Sequence, residues 1–301
     1  MLADRLPPTD LQSLLLAAYR RRAAAVRPAA LLEQYRRDRF MGPASVDPRA
    51  AAEFDLLALS LLPDGWEALE LSPVAPLGAV SAIATVDQNN VLTTVRNSEV
   101  VADATNVLAL EAAVRRRATL RGDTRSMARV RLAASQRVVR AQPFSGAGSH
   151  QHFRLLGLVT AGRDEGSYRF EVAALLEQVT YFLRLLREVA GLGLVVTGVR
   201  AAVTDLEDGR RTPALETGVL APLAERFPEA QVRLDPERTA GRGYYSSACF
   251  DVSAVDPAGI ELHLVDGGFT TWTRQLVGSE KERLLIGGMG TERLLERFSG
   301  S

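Results

Sequence analysis

Residues Leu284–Arg293, LLIGGMGTER, set the tightest limit on what this chain can become. An apolar, strand-like run (Leu284, Leu285, Ile286) meets Gly287, Gly288, Met289 and Gly290. A helix-like segment follows at once, with Arg293 in its first turn. Glycines at such a junction let a ligand approach the backbone closely. A helix N-terminus offers free N–H groups to an anion, and arginine adds a planar, permanently charged fork that matches phosphate. A strand–glycine–helix unit with this chemistry reads as an anion cradle.

Upstream, apolar periodicity predicts the remaining elements. Residues 9–40 read as two helical pieces split near Pro28, and 41–49 as a loop rich in Pro, Gly and Ser. A helix is expected over 50–62, a strand over 66–71, a strand over 91–96 and a strong helix over 103–117. Residues 129–142 and 152–160 read as the two strands of a long antiparallel hairpin around the turn-rich segment 143–149. An amphipathic helix is expected over 172–189 with Gly191 as its C-cap, then a strand over 194–204 and a helix over 213–226. Strands over 244–254 and 260–265 precede the closing unit. Hairpin-like turns join most of these strands. The expected class is therefore α+β, an antiparallel β-sheet flanked by helices. The expected layout is an N-terminal helical arm (1–49) and a catalytic-type domain (50–301), with 171–236 as a short helical insertion.

Composition excludes several functions. The 301 residues carry 36 basic and 36 acidic side chains, which gives no overall electrostatic case for a polyanionic partner. The clusters Arg20–Arg22, Arg36–Arg37 and Arg115–Arg117 read as solvated helix faces. Cys249 is the single cysteine, so neither an internal disulfide nor a cysteine zinc site is possible; a reducing, cytoplasmic setting is expected. No signal peptide or membrane span is expected. Lys281 is the only lysine and no glycine-rich loop leads into it, which removes the GxxxxGK[ST] phosphate loop and makes a Schiff-base lysine an unlikely reading. Phosphate chemistry here has to use arginine.

Two more segments carry candidate chemistry. Arg140 closes the first strand of the hairpin (Val138-Val139-Arg140-Ala141-Gln142), and residues 144–148 are placed to fold over a ligand. Read alone, it is a hairpin with one exposed arginine. Residues 238–251, RTAGRGYYSSACFD, set Tyr244 and Tyr245 between glycines and small residues. On a strand the two tyrosines would face opposite ways; in a pocket their hydroxyls would read a polar substrate. His150 and His152 share a strand face, and hydrogen bonding is preferred to metal binding for them and for His263.

In this order, the segments resemble the catalytic domain of class II aminoacyl-tRNA synthetases, in the histidyl-tRNA synthetase branch. That branch includes the synthetase-like regulatory subunit of ATP phosphoribosyltransferase. The resemblance spans roughly residues 50–298. Pro73 is similar to the proline of motif 1, at the dimer interface. Residues 139–142 resemble motif 2, which implies that Arg140 and Gln142 contact ATP and the activated carboxylate. Residues 288–293 resemble motif 3, which implies ATP binding by Gly288, Gly290 and Arg293, with Mg2+. Asp103-Ala104-Thr105 resembles the element that binds the substrate amino group. Residues 241–247 resemble the histidine-specific segment, which implies amino-acid contacts from Tyr244 and Tyr245. Asp266-Gly267-Gly268 resembles a further glycine-rich element of the branch.

The departures bear on chemistry. Gln142 replaces the motif 2 glutamate, and Ala240 stands where the family has a carboxylate-activating arginine. Gly267-Gly268-Phe269 lacks the usual following arginine and acid, and His152 and Leu155 replace two polar residues. The sequence stops soon after motif 3, so no anticodon-binding domain is expected and tRNA is an unexpected partner. Amino-acid activation joins a carboxylate to the α-phosphate, and fixed arginines with a metal stabilise the charge. Losing one such group costs on the order of a hundredfold or more in rate. The resemblance implies a homodimer that binds ATP and an amino acid and activates it for a non-tRNA acceptor, with Arg140 as the catalytic candidate. The alternative is a non-catalytic regulatory subunit that senses histidine beside the catalytic subunit of ATP phosphoribosyltransferase.

Overall fold

A computed structural model describes residues 2–142 and 151–300. Residues 144–148 and His150 lie outside the described residues. The chain begins with helices α1 (Leu2–Arg5), α2 (Pro8–Ala24), α3 (Pro28–Arg37) and α4 (Pro48–Ser60), then strands β1 (Glu67–Ala68), β2 (Val74–Pro76) and β3 (Ser98–Val100). Helix α5 (Ala104–Gly122) leads into β4 (Val130–Val139) and β5 (His152–Arg163), followed by α6 (Arg169–Glu188) and β6 (Thr197–Asp205). Next come α7 (Thr212–Leu215), α8 (Ala221–Arg226), β7 (Gln231–Leu234), β8 (Ala248–Val255) and β9 (Glu261–Thr270). The chain closes with α9 (Trp272–Val277), β10 (Glu282–Gly290) and α10 (Thr291–Arg297).

Eight strands form one sheet in the order β1-β4-β5-β10-β9-β8-β6-β7. The six central strands pair antiparallel, as the hairpin-like turns predict. The two edge pairings, β1 with β4 and β6 with β7, are parallel, so the sheet is mixed at its margins. The segment 171–236, read from sequence as a helical insertion, contributes α6 to the core and β6 and β7 to this sheet.

Period-two alternation sorts the sheet residues onto two apolar layers. Leu156, Leu158, Phe250, Val252, Leu285 and Met289 point to one face, where α4, α6 and α10 cover them with Phe54, Phe182 and Leu294. Leu132, Ala134, Val159, Ala161, Leu284 and Ile286 point to the other, against Leu108, Ala109 and Ala112 of α5 and Trp272 of α9. Helix α4 starts where Asp47 accepts a hydrogen bond from the Arg49 N–H at 2.9 Å and Pro48 takes the first helical position. Between α7 and α8 the backbone widens into a π turn over Glu216–Leu220, because Pro222 has no N–H to continue the ladder.

Several expectations change. Residues 91–96 do not form a strand: a short 3₁₀ turn over Gln88–Asn90 precedes them, and only Thr93 bridges to Glu99. The pairing strand is β3, which lies beside β2. Helix α6 runs on through a 3₁₀ turn (Val189–Leu192), and Gly193, at φ 77°, takes the left-handed position expected of Gly191. The strand expected over 244–254 begins at Ala248, because the N–H groups of Tyr244 and Tyr245 both turn back to the Gly241 carbonyl.

The largest change concerns Arg115–Arg117. Arg115 pairs with Glu67 and Glu111 at the surface, but Arg116 is fully buried. Its Nε and one terminal nitrogen each hold a carboxylate oxygen of the equally buried Glu282 at 2.8 Å. Its remaining donors reach the carbonyls of Ala128 and Ser126. The guanidinium is thus desolvated, with all three of its nitrogens bonded inside the fold. Arg116→Ala, which strands the Glu282 carboxylate, is expected to destabilise the protein by about 3–5 kcal/mol in urea unfolding, while the paired replacement Arg116→Met with Glu282→Leu restores most of that loss.

Candidate functional site

The helix-capping residue of α5 organises the site. Asp103 is extended, and its Oδ1 accepts from the Thr105 N–H (2.9 Å) and the Thr105 hydroxyl (2.7 Å). Its Oδ2 faces Arg140 at 3.2 Å, and the Arg140 Nε donates to the Ala102 carbonyl at 3.0 Å. The Phe153 ring lies 5.0 Å from the Arg140 guanidinium carbon and supports it from β5. Helix α5 approaches the sheet this closely because β5 carries Gly157, where a Cβ would sit 3.2 Å from Ala104.

A second group forms around Asp266 of β9. Tyr245 donates its hydroxyl to Asp266 Oδ2 at 2.9 Å, and Arg238 donates to Oδ1 and, at 2.8 Å, to Asp251. The Tyr245 ring lies flat on Gly268, where a Cβ would be 2.6 Å from ring atoms. Tyr244 packs edge-on against Tyr245 and Trp272, with centroids 5.0 and 5.8 Å away. Burial, reinforced by Asp103 and Asp266, pushes both phenols well above the ordinary tyrosine range, so both stay protonated. Burial also pushes up the Asp251 carboxyl, against the pull of Arg238. Burial works against the charge of Arg238, yet Asp266 more than offsets it and holds the guanidinium charged.

Gly288 and Gly290 point toward these groups from β10. A Cβ on Gly290 would meet no atom within 4 Å, and one on Gly288 only Leu155 at 3.4 Å. Neither glycine has positive φ. Packing and backbone conformation therefore do not demand glycine here; what the missing side chains leave is open space. Arg293, in the first turn of α10, donates to the His263 carbonyl at 2.8 Å and is half-buried.

All nine residues expected at the site, Asp103, Thr105, Arg140, Gln142, Tyr244, Tyr245, Gly288, Gly290 and Arg293, line one cavity of about 430 Å3. That is large enough for a small-molecule ligand. Ala240 contributes only its carbonyl, which accepts from Arg238 at 3.1 Å.

The cavity also holds residues that sequence reasoning passed over. Asn106 lines it and is buried, with its Nδ2 lacking a partner among the described residues. Glu292 is buried there too: one oxygen takes Arg137, and Oε2 has no partner among the described residues. Val80, Ala84 and Val86 belong to the segment 78–91, which forms one wall. That wall hangs on the fully buried Glu99, whose carboxylate accepts from the Gly78 and Val80 N–H groups (2.8 and 3.0 Å) and from Gln88 (2.9 Å). A lone acid in the apolar run of β3 was the only available signal. His152 lies away from the cavity lining, between Arg137 (2.8 Å) and the Gly42 carbonyl (2.7 Å), and ties the N-terminal arm to β4 and β5. Among the described residues no group of three or more His, Cys, Asp or Glu is placed to hold a metal ion, and no helix is long and apolar enough to cross a membrane.

The antiparallel six-strand core covered by helices is similar to the fold of class II aminoacyl-tRNA synthetases. Solved structures agree, and their form is histidyl-tRNA synthetase-like. The chain is similar to the ATP phosphoribosyltransferase regulatory subunit/histidyl-tRNA synthetase from Bacillus halodurans, with TM-score 0.66 at 13% identity over 87% of this chain and 83% of that one. It is similar to the apo histidyl-tRNA synthetase of S. aureus, with TM-score 0.59 at 12% identity over 84% and 67%. A threonyl-tRNA synthetase from Aeropyrum pernix gives TM-score 0.58 at 14% identity over 82% and 58%. No family model matches the sequence, and no curated protein matches it.

Two outcomes check this geometry. Gly268→Ala drives a methyl into the Tyr245 ring and is expected to cost about 1–3 kcal/mol in thermal unfolding, whereas Gly290→Ala is expected to cost less than about 1 kcal/mol because the methyl enters empty cavity. Glu99→Ala removes charged acceptors worth about 1.5–3 kcal/mol each, so the Gly78 and Val80 amides are expected to exchange hydrogen at least about tenfold faster than in the parent protein.

Proposed function

We propose that this cavity binds ATP and an amino acid side by side, and that it is arranged for transfer of the adenylyl group from ATP to the amino-acid carboxylate with release of pyrophosphate. The observation that carries the reading is the convergence in one cavity of two arginines, three carboxyl residues (Asp103, Asp266 and Glu292) and two protonated tyrosines over a floor whose glycines packing does not require. Arg140 keeps free donors after binding Ala102 and Asp103, and Arg293 lines the cavity with donors beyond the one given to His263, so both remain available to phosphate oxygens. Asp103 and Asp266 suit an ammonium group. The fold implies Mg2+ with the nucleotide, and the unpartnered Oε2 of Glu292 fits one ligand position for it. Mg2+ binds through one or two carboxylates plus phosphates and waters, and would neutralise phosphate charge there. Arg140 would orient the α-phosphate against the attacking carboxylate, and the Phe153 ring would hold its guanidinium in place.

A second reading is favoured by a specific feature. Arg238 is held by Asp251, Asp266 and the Ala240 carbonyl through all three of its nitrogens, and the position where the family has an arginine is Ala240. A site with that deficit binds better than it reacts, as a histidine-sensing regulatory subunit paired with an ATP phosphoribosyltransferase would. In either reading we propose a homodimer through the segment around Pro73, where Val74 and Leu77 are exposed. Light scattering is expected to give twice the chain mass.

Calorimetry with Mg-ATP is expected to show saturable binding, weakened at least about tenfold by Arg293→Ala, since a hydrogen bond to a charged group is worth about 1.5–3 kcal/mol. Amino-acid-dependent exchange of pyrophosphate into ATP separates the two readings. Exchange supports adenylation, and binding without exchange supports the sensor. Absence of any nucleotide or amino-acid binding overturns both.

A further inference from the structure

Asn106 offers a recognition element that the motifs do not explain. It lies on α5, one residue past Thr105 and three past Asp103, in the wall shared with Ala84, Val86 and Tyr244. Its side chain is 98% removed from solvent, and the Nδ2 group has no hydrogen-bond partner among the described residues. A buried amide N–H without an acceptor is costly. Among the residues described, Nδ2 finds no acceptor in the cavity it lines, so its acceptor is expected to arrive with the ligand.

We propose that Asn106 reads the side chain of the bound amino acid and selects an uncharged side chain carrying a hydrogen-bond acceptor, a carboxamide or a hydroxyl. This rests on the reading that the cavity takes an amino acid. The electrostatics of the same wall narrow the class. A carboxylate side chain would satisfy Nδ2 but meets the carboxyl groups of Asp103 and Asp266, which line the same cavity. A lysine-type ammonium has donors only and opposes donor to donor. An imidazole near two carboxylates is drawn to its protonated form, in which both ring nitrogens are donors, so histidine meets the same conflict. An aliphatic side chain leaves Nδ2 unpaired. A site built around a hydrogen bond rejects ligands lacking it far more strongly than an apolar slot rejects a missing methylene. A carboxamide oxygen or hydroxyl is left as the matching group. A carboxamide ligand, holding donor and acceptor together, pairs with either orientation of the Asn106 amide.

The test is calorimetry on the full chain in Mg-ATP, titrating glutamine, asparagine, serine, threonine, histidine, glutamate, lysine and leucine. At least one carboxamide or hydroxyl amino acid is expected to bind tenfold or more tighter than histidine, glutamate, lysine and leucine. Asn106→Ala is expected to shrink that preference to threefold or less, and Asn106→Asp, an acceptor with no donor, to move it toward histidine or lysine. Circular dichroism establishes that both variants fold; if Asn106→Ala does not, the Asn106→Asp ranking and the parent's own ranking still decide. Histidine or leucine binding best to the parent protein, or an unchanged ranking in a folded variant, overturns the inference while leaving amino-acid binding intact. ATP binding with no amino acid bound overturns the inference and the amino-acid half of the proposed function. No binding of either overturns the function itself.

Discussion

The buried Arg116–Glu282 pair sets the geometry on which the site depends. It clamps the fourth turn of α5 to the first residue of β10 with two parallel hydrogen bonds, and two backbone carbonyls absorb the remaining donors. Helix α5 presents Asp103, Thr105 and Asn106 at its N-terminal end, and β10 presents Gly288 and Gly290 at its C-terminal end. Both sets therefore sit at the far ends of elements fixed to each other by one charge pair. Such a pair contributes little net stability over an apolar alternative, because desolvation offsets the attraction. Its directional, bidentate geometry fixes the register of helix on strand more narrowly than leucine-on-leucine contact does. Gly157 then allows the helix to settle onto β5, and the carboxylate of Asp103 comes within reach of Arg140.

The charges of the cavity are arranged in self-satisfied pairs. Asp103 holds Arg140, Arg238 holds Asp266, and the His263 carbonyl holds Arg293. In each pair one partner keeps spare hydrogen-bonding capacity toward the cavity. Arg140 has donors left over, Asp266 is about half exposed on its side chain, and Arg293 has donors beyond the one given to His263. The site is thus preorganised: the groups that would meet phosphate and ammonium are held by protein partners before any ligand arrives, and little rotamer freedom is left to lose on binding.

How much of this is legible in the sequence depends on the range of the interaction. Helices α2 to α6 follow from apolar periodicity, with Pro28 marking the break between α2 and α3. The long β4–β5 hairpin follows from two β-like runs around one turn-rich segment. Its neighbours in the sheet do not, because β10 inserts between β5 and β9 from more than a hundred residues away. Arg116 is the sharpest case. Among alanines, between two surface arginines, it carries the local signature of a solvated face. Only the arrival of Glu282 from β10 explains its burial. The parallel edge strands β1 and β7 are two and four residues long, too short to show a period. The site residues that sequence placed together all belong to short motifs. Those it missed, Glu99, Asn106 and Phe153, act through partners brought in by the tertiary fold.

The glycines of β9 and β10 show how one residue type can serve two purposes in adjacent strands. At Gly267 and Gly268 a Cβ would collide with Phe250, Tyr245 and Cys249 at 2.4–2.8 Å, so these positions are glycine because aromatic rings lie on the strand. At Gly288 and Gly290 a Cβ would meet only ordinary contact or nothing. Gly268 builds the tyrosine shelf and fixes where the Tyr245 hydroxyl meets Asp266, while Gly267 admits the Phe250 ring on the opposite face. The second pair leaves the floor beside that shelf clear. The collisions of the first pair are requirements of folding. The second pair has no such requirement, so the volume it leaves vacant is attributable to what the cavity receives.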